Sequence, residues 1–237
     1  MIIIANWKMN PLTINRALNL LNFYKKLKYK KIWIAPPFVF LPILIKKYKK
    51  TFIFGAQNVH HQKEGAYTGE ISAKMLKNIG CKFVIINHSE RRKLGERLEI
   101  ANQKIRICLK NNLIPVVCFG EQQKISDLME LKNLWEEEFQ ILFKDIDNFK
   151  KIKIVYEPAW AISTEKIGPV PLEIVNEFLT WIRTKTNTDI FYGGSLSDEN
   201  IEDYLKLNLK GFLIGSQSLK MQNFGKIIQK IKKYDII

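Results

Sequence analysis

A few side chains in this chain are of types, and stand in places, that suit acid–base and anion-holding chemistry. Glu157 directly follows the apolar run Ile152–Tyr156 and precedes Pro158. A carboxylate there, with Trp160 and Ile162 close in sequence, is open to desolvation and to service as a general base. Taken alone, the plainer reading is a salt-bridged acid at a strand end. His88 follows the run Phe83–Ile86, and Ser89–Glu90 reads as a helix start with a capping hydroxyl and a first-turn acid. An imidazole beside a positive helix end suits a neutral hydrogen-bond donor, though a histidine satisfying a loop carbonyl would look the same. Lys8, within Asn6-Trp7-Lys8-Met9-Asn10, is placed to hold an oxyanion or a phosphate, or is one more surface lysine. Late in the chain, Gly193-Gly194-Ser195 and Gly215-Ser216 offer flexible backbone of the kind that cradles phosphate after the last two strands of a barrel. No Walker A sequence, G-x-G-x-x-G after a first strand, or H-E-x-x-H occurs, so no cofactor and no metal is expected.

These residues need a scaffold that gathers distant segments. Short apolar runs at Ile2–Ala5, Ile32–Ala35, Phe52–Gly55, Phe83–Ile86, Ile114–Cys118, Ile152–Tyr156, Ile190–Tyr192 and Gly211–Ile214 read as strands buried on both faces. Segments of helical period lie between them, including Ile14–Leu27, Glu99–Lys110, Leu128–Phe143, Leu172–Thr184 and Phe224–Tyr234. Eight strand–helix repeats without a Pro-, Gly- or Ser-rich linker predict one α/β domain over residues 1–237, either a doubly wound sheet or a closed barrel. Distinctive polar residues follow six or seven of the strands. An open sheet concentrates its site at one switch point, whereas a barrel draws on many strand ends. The (β/α)8 barrel with a closed eight-stranded parallel sheet is therefore predicted.

Composition narrows the class. The 237 residues are 46% apolar and 26% charged, enough to bury a substantial core. No run approaches the roughly 18 apolar residues that span a bilayer, and the three cysteines, Cys81, Cys108 and Cys118, form no C-x-x-C pair. A cytoplasmic protein with reduced thiols and no membrane partner is expected. The net charge of +15 comes with lysines on many helix faces and no nucleic-acid-binding motif. It reads as a generally basic surface that helps collect anionic substrates, and no nucleic-acid partner is expected.

Several longer segments resemble one family. Ala5-Asn6-Trp7-Lys8-Met9-Asn10, Gly55-Ala56-Gln57-Asn58, Tyr67-Thr68-Gly69-Glu70-Ile71-Ser72, His88-Ser89-Glu90-Arg91-Arg92, Val117–Glu121, Tyr156–Ile162, Tyr192–Ser195 and Gly211–Gly215 are similar, in order and over nearly the whole chain, to the triose-phosphate isomerases. The resemblance implies interconversion of dihydroxyacetone phosphate and D-glyceraldehyde 3-phosphate by proton transfer through an enediolate, in glycolysis and gluconeogenesis. It implies Glu157 as the base, His88 and Asn6 as polarisers of the carbonyl, Lys8 as the positive charge and Glu90 as its partner. It further implies that Ser195, Gly215, Ser216 and the backbone of Ser163 hold the phosphate. Pro158, Ala159, Trp160, Ala161, Ile162, Ser163, Thr164, Glu165 and Lys166 match the family's lid. Gln57–Ser72 matches its interdigitating dimer loop, with Gln57, Thr68, Gly69 and Glu70 as contacts in a homodimer. The chain departs from the family at Ser163 and Glu165, at Asn87 before the histidine and at Ser216, all usually glycine. Other expectations open at this point are a different phosphosugar barrel enzyme and an idle basic barrel that binds nucleic acid.

Overall fold

The computed structural model describes residues 1–161 and 168–235. Eight parallel strands, β1 (Ile2–Asn6), β2 (Ile32–Ala35), β3 (Ile53–Ala56), β4 (Phe83–Ile86), β5 (Ile114–Phe119), β6 (Lys153–Tyr156), β7 (Asp189–Tyr192) and β8 (Gly211–Ile214), pair in chain order, and β1 pairs with β8 to close a barrel. The register at the closing seam is Ile2↔Gly211 to Ala5↔Ile214. Gly211 is required there, because a Cβ would lie 2.0 Å from the Ile2 carbonyl oxygen and 2.6 Å from the Phe191 ring.

Around the barrel run α1 (Ile14–Lys26), α2 (Leu41–Tyr48), α3 (Ala73–Ile79), α4 (Ser89–Lys93), α5 (Leu98–Lys110), α6 (Leu128–Leu142), α7 (Leu172–Lys185), α8 (Ile201–Leu205) and α9 (Met221–Tyr234). Their starts follow from capping chemistry: Thr13, Ser72 and Asp127 accept the N–H of Arg16, Met75 and Glu130, each cap contributing about 1 kcal/mol. Helical period then decides what is buried. In α1, Ala17, Leu20, Leu21 and Tyr24 face the barrel, each Leu stabilising by about 1.5–3 kcal/mol on burial.

The core has two layers. Ile4, Trp33, Phe83, Ile85, Val116, Cys118, Val155, Phe191 and Leu213 fill the barrel interior, while alternate residues such as Ile3, Ile34, Val84 and Ile154 pack outward against the helices. Strands buried on both faces explain the nearly continuous apolar runs. The closed sheet decides the choice that sequence period left open. Boundaries shift by a residue or two, as at β3, which begins at Ile53 rather than Phe52. Among the described residues, no helix is long and apolar enough to cross a membrane.

Candidate active site

The carboxyl ends of the strands deliver the polar residues to one mouth. Asn6 ends β1, His88 lies two residues past β4, Glu157 directly follows β6, Gly193 follows β7 and Gly215 follows β8. Asn6, Lys8, His88, Glu157, Gly193, Gly194 and Gly215, with Leu213 beneath, line a single cleft of about 20 Å3, room for about one water. Residues separated by more than two hundred positions thus share one small volume.

His88 is oriented through both ring nitrogens. It is itself the N-cap of α4, and its Nδ1 accepts the Glu90 backbone N–H at 3.1 Å. The expected capping hydroxyl of Ser89 is therefore not the cap, because the imidazole occupies that position first. With Nδ1 an acceptor, the ring hydrogen sits on Nε2, 3.0 Å from Glu157 Oε1. The second Glu157 oxygen accepts the Ser89 backbone N–H at 3.0 Å. Glu157 is 4% exposed. Burial pushes its carboxyl upward, but the neighbouring His88, the Ser89 N–H and the charge of Lys8 outweigh it and hold the group below the ordinary glutamate range. Glu157 is thus a buried carboxylate, ionised at neutral pH. Its neighbour Cys118 is raised well above the ordinary thiol range by burial first and by the Glu157 charge second.

Lys8 adopts a left-handed backbone (φ 53), with its N–H on Asn6 Oδ1 at 3.1 Å. Its ammonium pairs with Glu90 Oε1 at 2.8 Å. Gln57 donates to the carbonyls of Lys8 and Ala35, both at 2.8 Å. It braces the Lys8 turn of its own chain, a task that sequence reasoning did not assign to it. Thr68, Gly69 and Glu70 stand exposed on the 57–72 loop.

Several supporting contacts escaped the sequence. Glu121, two residues past β5, is buried and accepts from Trp160 Nε1 (2.9 Å), Trp135 Nε1 (3.3 Å) and the Tyr156 hydroxyl (3.3 Å). Burial holds its carboxyl above the ordinary range despite these donors. Trp160 therefore turns its polar edge to Glu121. Arg92 binds Glu138 and the Gly120 carbonyl, tying α4 to α6 and to the end of β5. A Cβ at Gly120 would come within 2.8 Å of the Glu157 carbonyl carbon, so glycine lets the β5 loop pass behind the base. Asn87 takes a left-handed turn (φ 61), and its amide donates to the Cys118 carbonyl at 2.9 Å.

Of the described residues that the resemblance assigns to phosphate, Gly215 lines the cleft and Ser216 opens the 3-10 turn Ser216–Leu219 behind it. The Ser195 N–H instead donates to the Ala161 carbonyl at 2.9 Å. Of the segment matched to a lid, Pro158, Ala159, Trp160 and Ala161 are buried, with a 3-10 turn at Ala159–Ala161. Ile162, Ser163, Thr164, Glu165 and Lys166 lie outside the described residues.

Comparison with known proteins agrees with this geometry. The sequence profile of the family described as Triosephosphate isomerase matches residues 1–231. The chain is 39% identical over 241 residues to the triosephosphate isomerase of Mycoplasma mobile, covering 96% of this chain and 98% of that protein. It is 36% identical over 244 residues to that of Aquifex aeolicus (96% and 98%). With that of Wolbachia pipientis wMel it shares 39% over 246 residues (100% and 96%). A full-length match on a closed eight-stranded barrel makes the chain an isomerase that belongs to the triosephosphate isomerase family.

Proposed function

We propose that the protein interconverts dihydroxyacetone phosphate and D-glyceraldehyde 3-phosphate by a proton shuttle on Glu157. The observation that carries this reading is the meeting of a buried carboxylate, an Nε2–H imidazole and an ammonium in one cleft. Glu157 takes a proton from C1 while His88 Nε2–H and Lys8 stabilise the oxygen charge that develops at C2. The resulting enediolate takes a proton from Glu157 at C2 while its C1 hydroxyl proton passes to the C2 oxygen by way of His88, so the aldehyde forms, Glu157 returns to the carboxylate and no net oxidation occurs. Donors fixed in a dry site are worth most where charge develops.

His88 Nε2 stands 3.0 Å from Glu157 Oε1, so a substrate carbonyl seated beside both takes the Nε2 hydrogen while the carboxylate acts on carbon. The cleft must widen to admit a phosphorylated triose, which separates Ser195 from Ala161 and turns the Ser195 N–H, with Gly215 and Ser216, toward phosphate. We assign the same reading's coarser features alongside: service in glycolysis and gluconeogenesis, a cytoplasmic location consistent with three buried free thiols, and a homodimer built through the 57–72 loop. Exposed apolar side chains, among them Met9, Leu12, Tyr67, Met75 and Leu94, support self-association.

Solvent exchange tests the chemistry. In D2O the enzyme is expected to wash deuterium into substrate carbon during turnover. Glu157→Gln should abolish exchange and isomerisation together while a phosphorylated transition-state mimic still binds. Persistent exchange in that variant would remove Glu157 from the step.

A further inference from the structure

The net positive charge of this protein is not spread evenly along the chain. Residues 1–63 hold eleven lysines and one arginine and no aspartate or glutamate, the first acid being Glu64. Residues 1–89 carry a formal charge of +13 of the chain's +15. A uniform compositional bias cannot produce that asymmetry, so the reading of a generally basic surface needs revision.

The fold concentrates this charge further. In a parallel barrel the helix C-termini and strand N-termini share the end opposite the catalytic mouth. Lys25, Lys26, Lys28 and Lys30 lie at the end of α1 and in the turn to β2, while Lys46, Lys47, Lys49 and Lys50 occupy the end of α2 and the turn to β3. Lys82 immediately precedes β4. Because β2, β3 and β4 are neighbours, these turns form one arc. All nine lysines are exposed. Among the described residues, the lysines of 1–89 that pair with a carboxylate are Lys8, Lys31 and Lys63, none of them in that set of nine. Lys46, Lys49, Lys50 and Lys82 converge on a depression of about 680 Å3 whose apolar lining includes Ile45 and Ile79. Helix dipoles favour lysine in a last turn, but they account neither for the lysines beyond the helices nor for the absence of acids. An arc facing away from the cleft is also ill placed to steer substrate into it.

We infer that this basic arc is a binding surface for the phosphate backbone of duplex nucleic acid, separate from the isomerase site. Helices packed about 10 Å apart put three consecutive turns across roughly 20 Å, comparable with the axial length of about six base pairs at about 3.4 Å each. Lysines without arginine forks supply point charges, which contact phosphate without reading sequence. Four of the nine lysines line a concavity, which seats a phosphate ridge better than a flat bilayer, and no aromatic side chain is exposed in the arc to anchor it in lipid.

Fluorescence anisotropy of a labelled 20-base-pair duplex of arbitrary sequence, titrated with the whole enzyme, tests this. If about five lysines contact phosphate, log K falls against log salt with a slope of about −4.5, roughly 500-fold between 50 and 200 mM. The variant Lys46→Gln/Lys49→Gln/Lys50→Gln/Lys82→Gln should lose most of that slope, about one per contact removed, and keep wild-type isomerase activity, which also certifies its fold. Removing equal charge elsewhere, with Lys144→Gln/Lys150→Gln/Lys151→Gln/Lys206→Gln, should weaken binding by at most about threefold. Saturating duplex should leave kcat and KM unchanged. No binding at 50 mM salt, a slope indifferent to the four arc lysines, competition with substrate, or capture by phosphatidylserine vesicles but not duplex would each overturn the inference without touching the assignment of the isomerase site.

Discussion

Shortening the base by one methylene tests the geometry more sharply than removing it. In Glu157→Asp the carboxylate withdraws by about 1.5 Å, one carbon–carbon bond, while its charge and burial persist. The present contacts, 3.0 Å to His88 Nε2 and 3.0 Å to the Ser89 N–H, then stretch beyond hydrogen-bond range, and the reach to a substrate carbon fails by the same amount. Displacement of a catalytic group by about 1 Å can cost 10²-fold, so kcat should fall by roughly 10²–10³, or about 2.7–4 kcal/mol of transition-state stabilisation. KM should stay within about threefold, because Lys8 and the Gly215–Ser216 rim are untouched and binding is lost only in the transition state. A coupled assay with C1-deuterated substrate reads both quantities, and the isotope effect should grow as proton abstraction becomes limiting. A variant with kcat within about threefold of wild type, or one that raises KM at constant kcat, would show that Glu157 binds substrate rather than moving its proton.

Titration of stability separates the two buried glutamates. Glu157 is held below 4.5 in the folded state, so its contribution is present above the unfolded value and is lost as pH falls through the folded value. Glu121 is held above 4.5, so its sign is opposite: the folded state binds that proton more tightly, and stability declines as pH climbs through its folded value. Urea unfolding across pH should therefore show the wild-type advantage over Glu157→Gln shrinking below pH 4.5, and a parallel trend for both glutamates would refute the opposed environments. Asn87→Ala should cost about 2–3 kcal/mol in the same assay, from left-handed strain of about 1–2 and a lost hydrogen bond of about 1. Asn87→Gly should cost less than half of that, and equal losses would mean that backbone strain is not what the asparagine manages. Sedimentation at micromolar concentration should give a dimer, a fully active monomer being the contrary result.

Sequence made residue types and their strand ends legible, because both follow from local pattern. Glu157 announces itself by following an apolar run, and His88 by lying ahead of a helix start. Atom-level direction was not legible. Whether His88 or Ser89 caps α4 depends on a few tens of degrees of backbone, and only the three-dimensional turn puts Nδ1 on the Glu90 N–H and Nε2 on Glu157. Gln57 shows the same limit. Its neighbours in sequence match an intersubunit loop, yet its amide is spent on two carbonyls of its own chain. Glu121 carried no signal of its role, since the three donors around it come from α6, β6 and the turn after β6.

The surface charge illustrates the converse, a pattern visible in sequence whose meaning needs topology. Lysines at positions 25–30, 46–50 and 82 look dispersed along the chain. A right-handed strand–helix–strand repeat returns each turn to the same end of the barrel, so a spacing of some twenty to thirty residues becomes adjacency. The same repeat carries Asn6, His88 and Glu157 to the other end. Chemistry that requires a dry, acid-bearing cleft and a surface that requires uncompensated cations can then coexist on one small barrel. Opposite ends keep the arc's lysines from pairing with Glu157 or Glu90, and keep their charge from displacing Lys8 as the cation that the cleft feels.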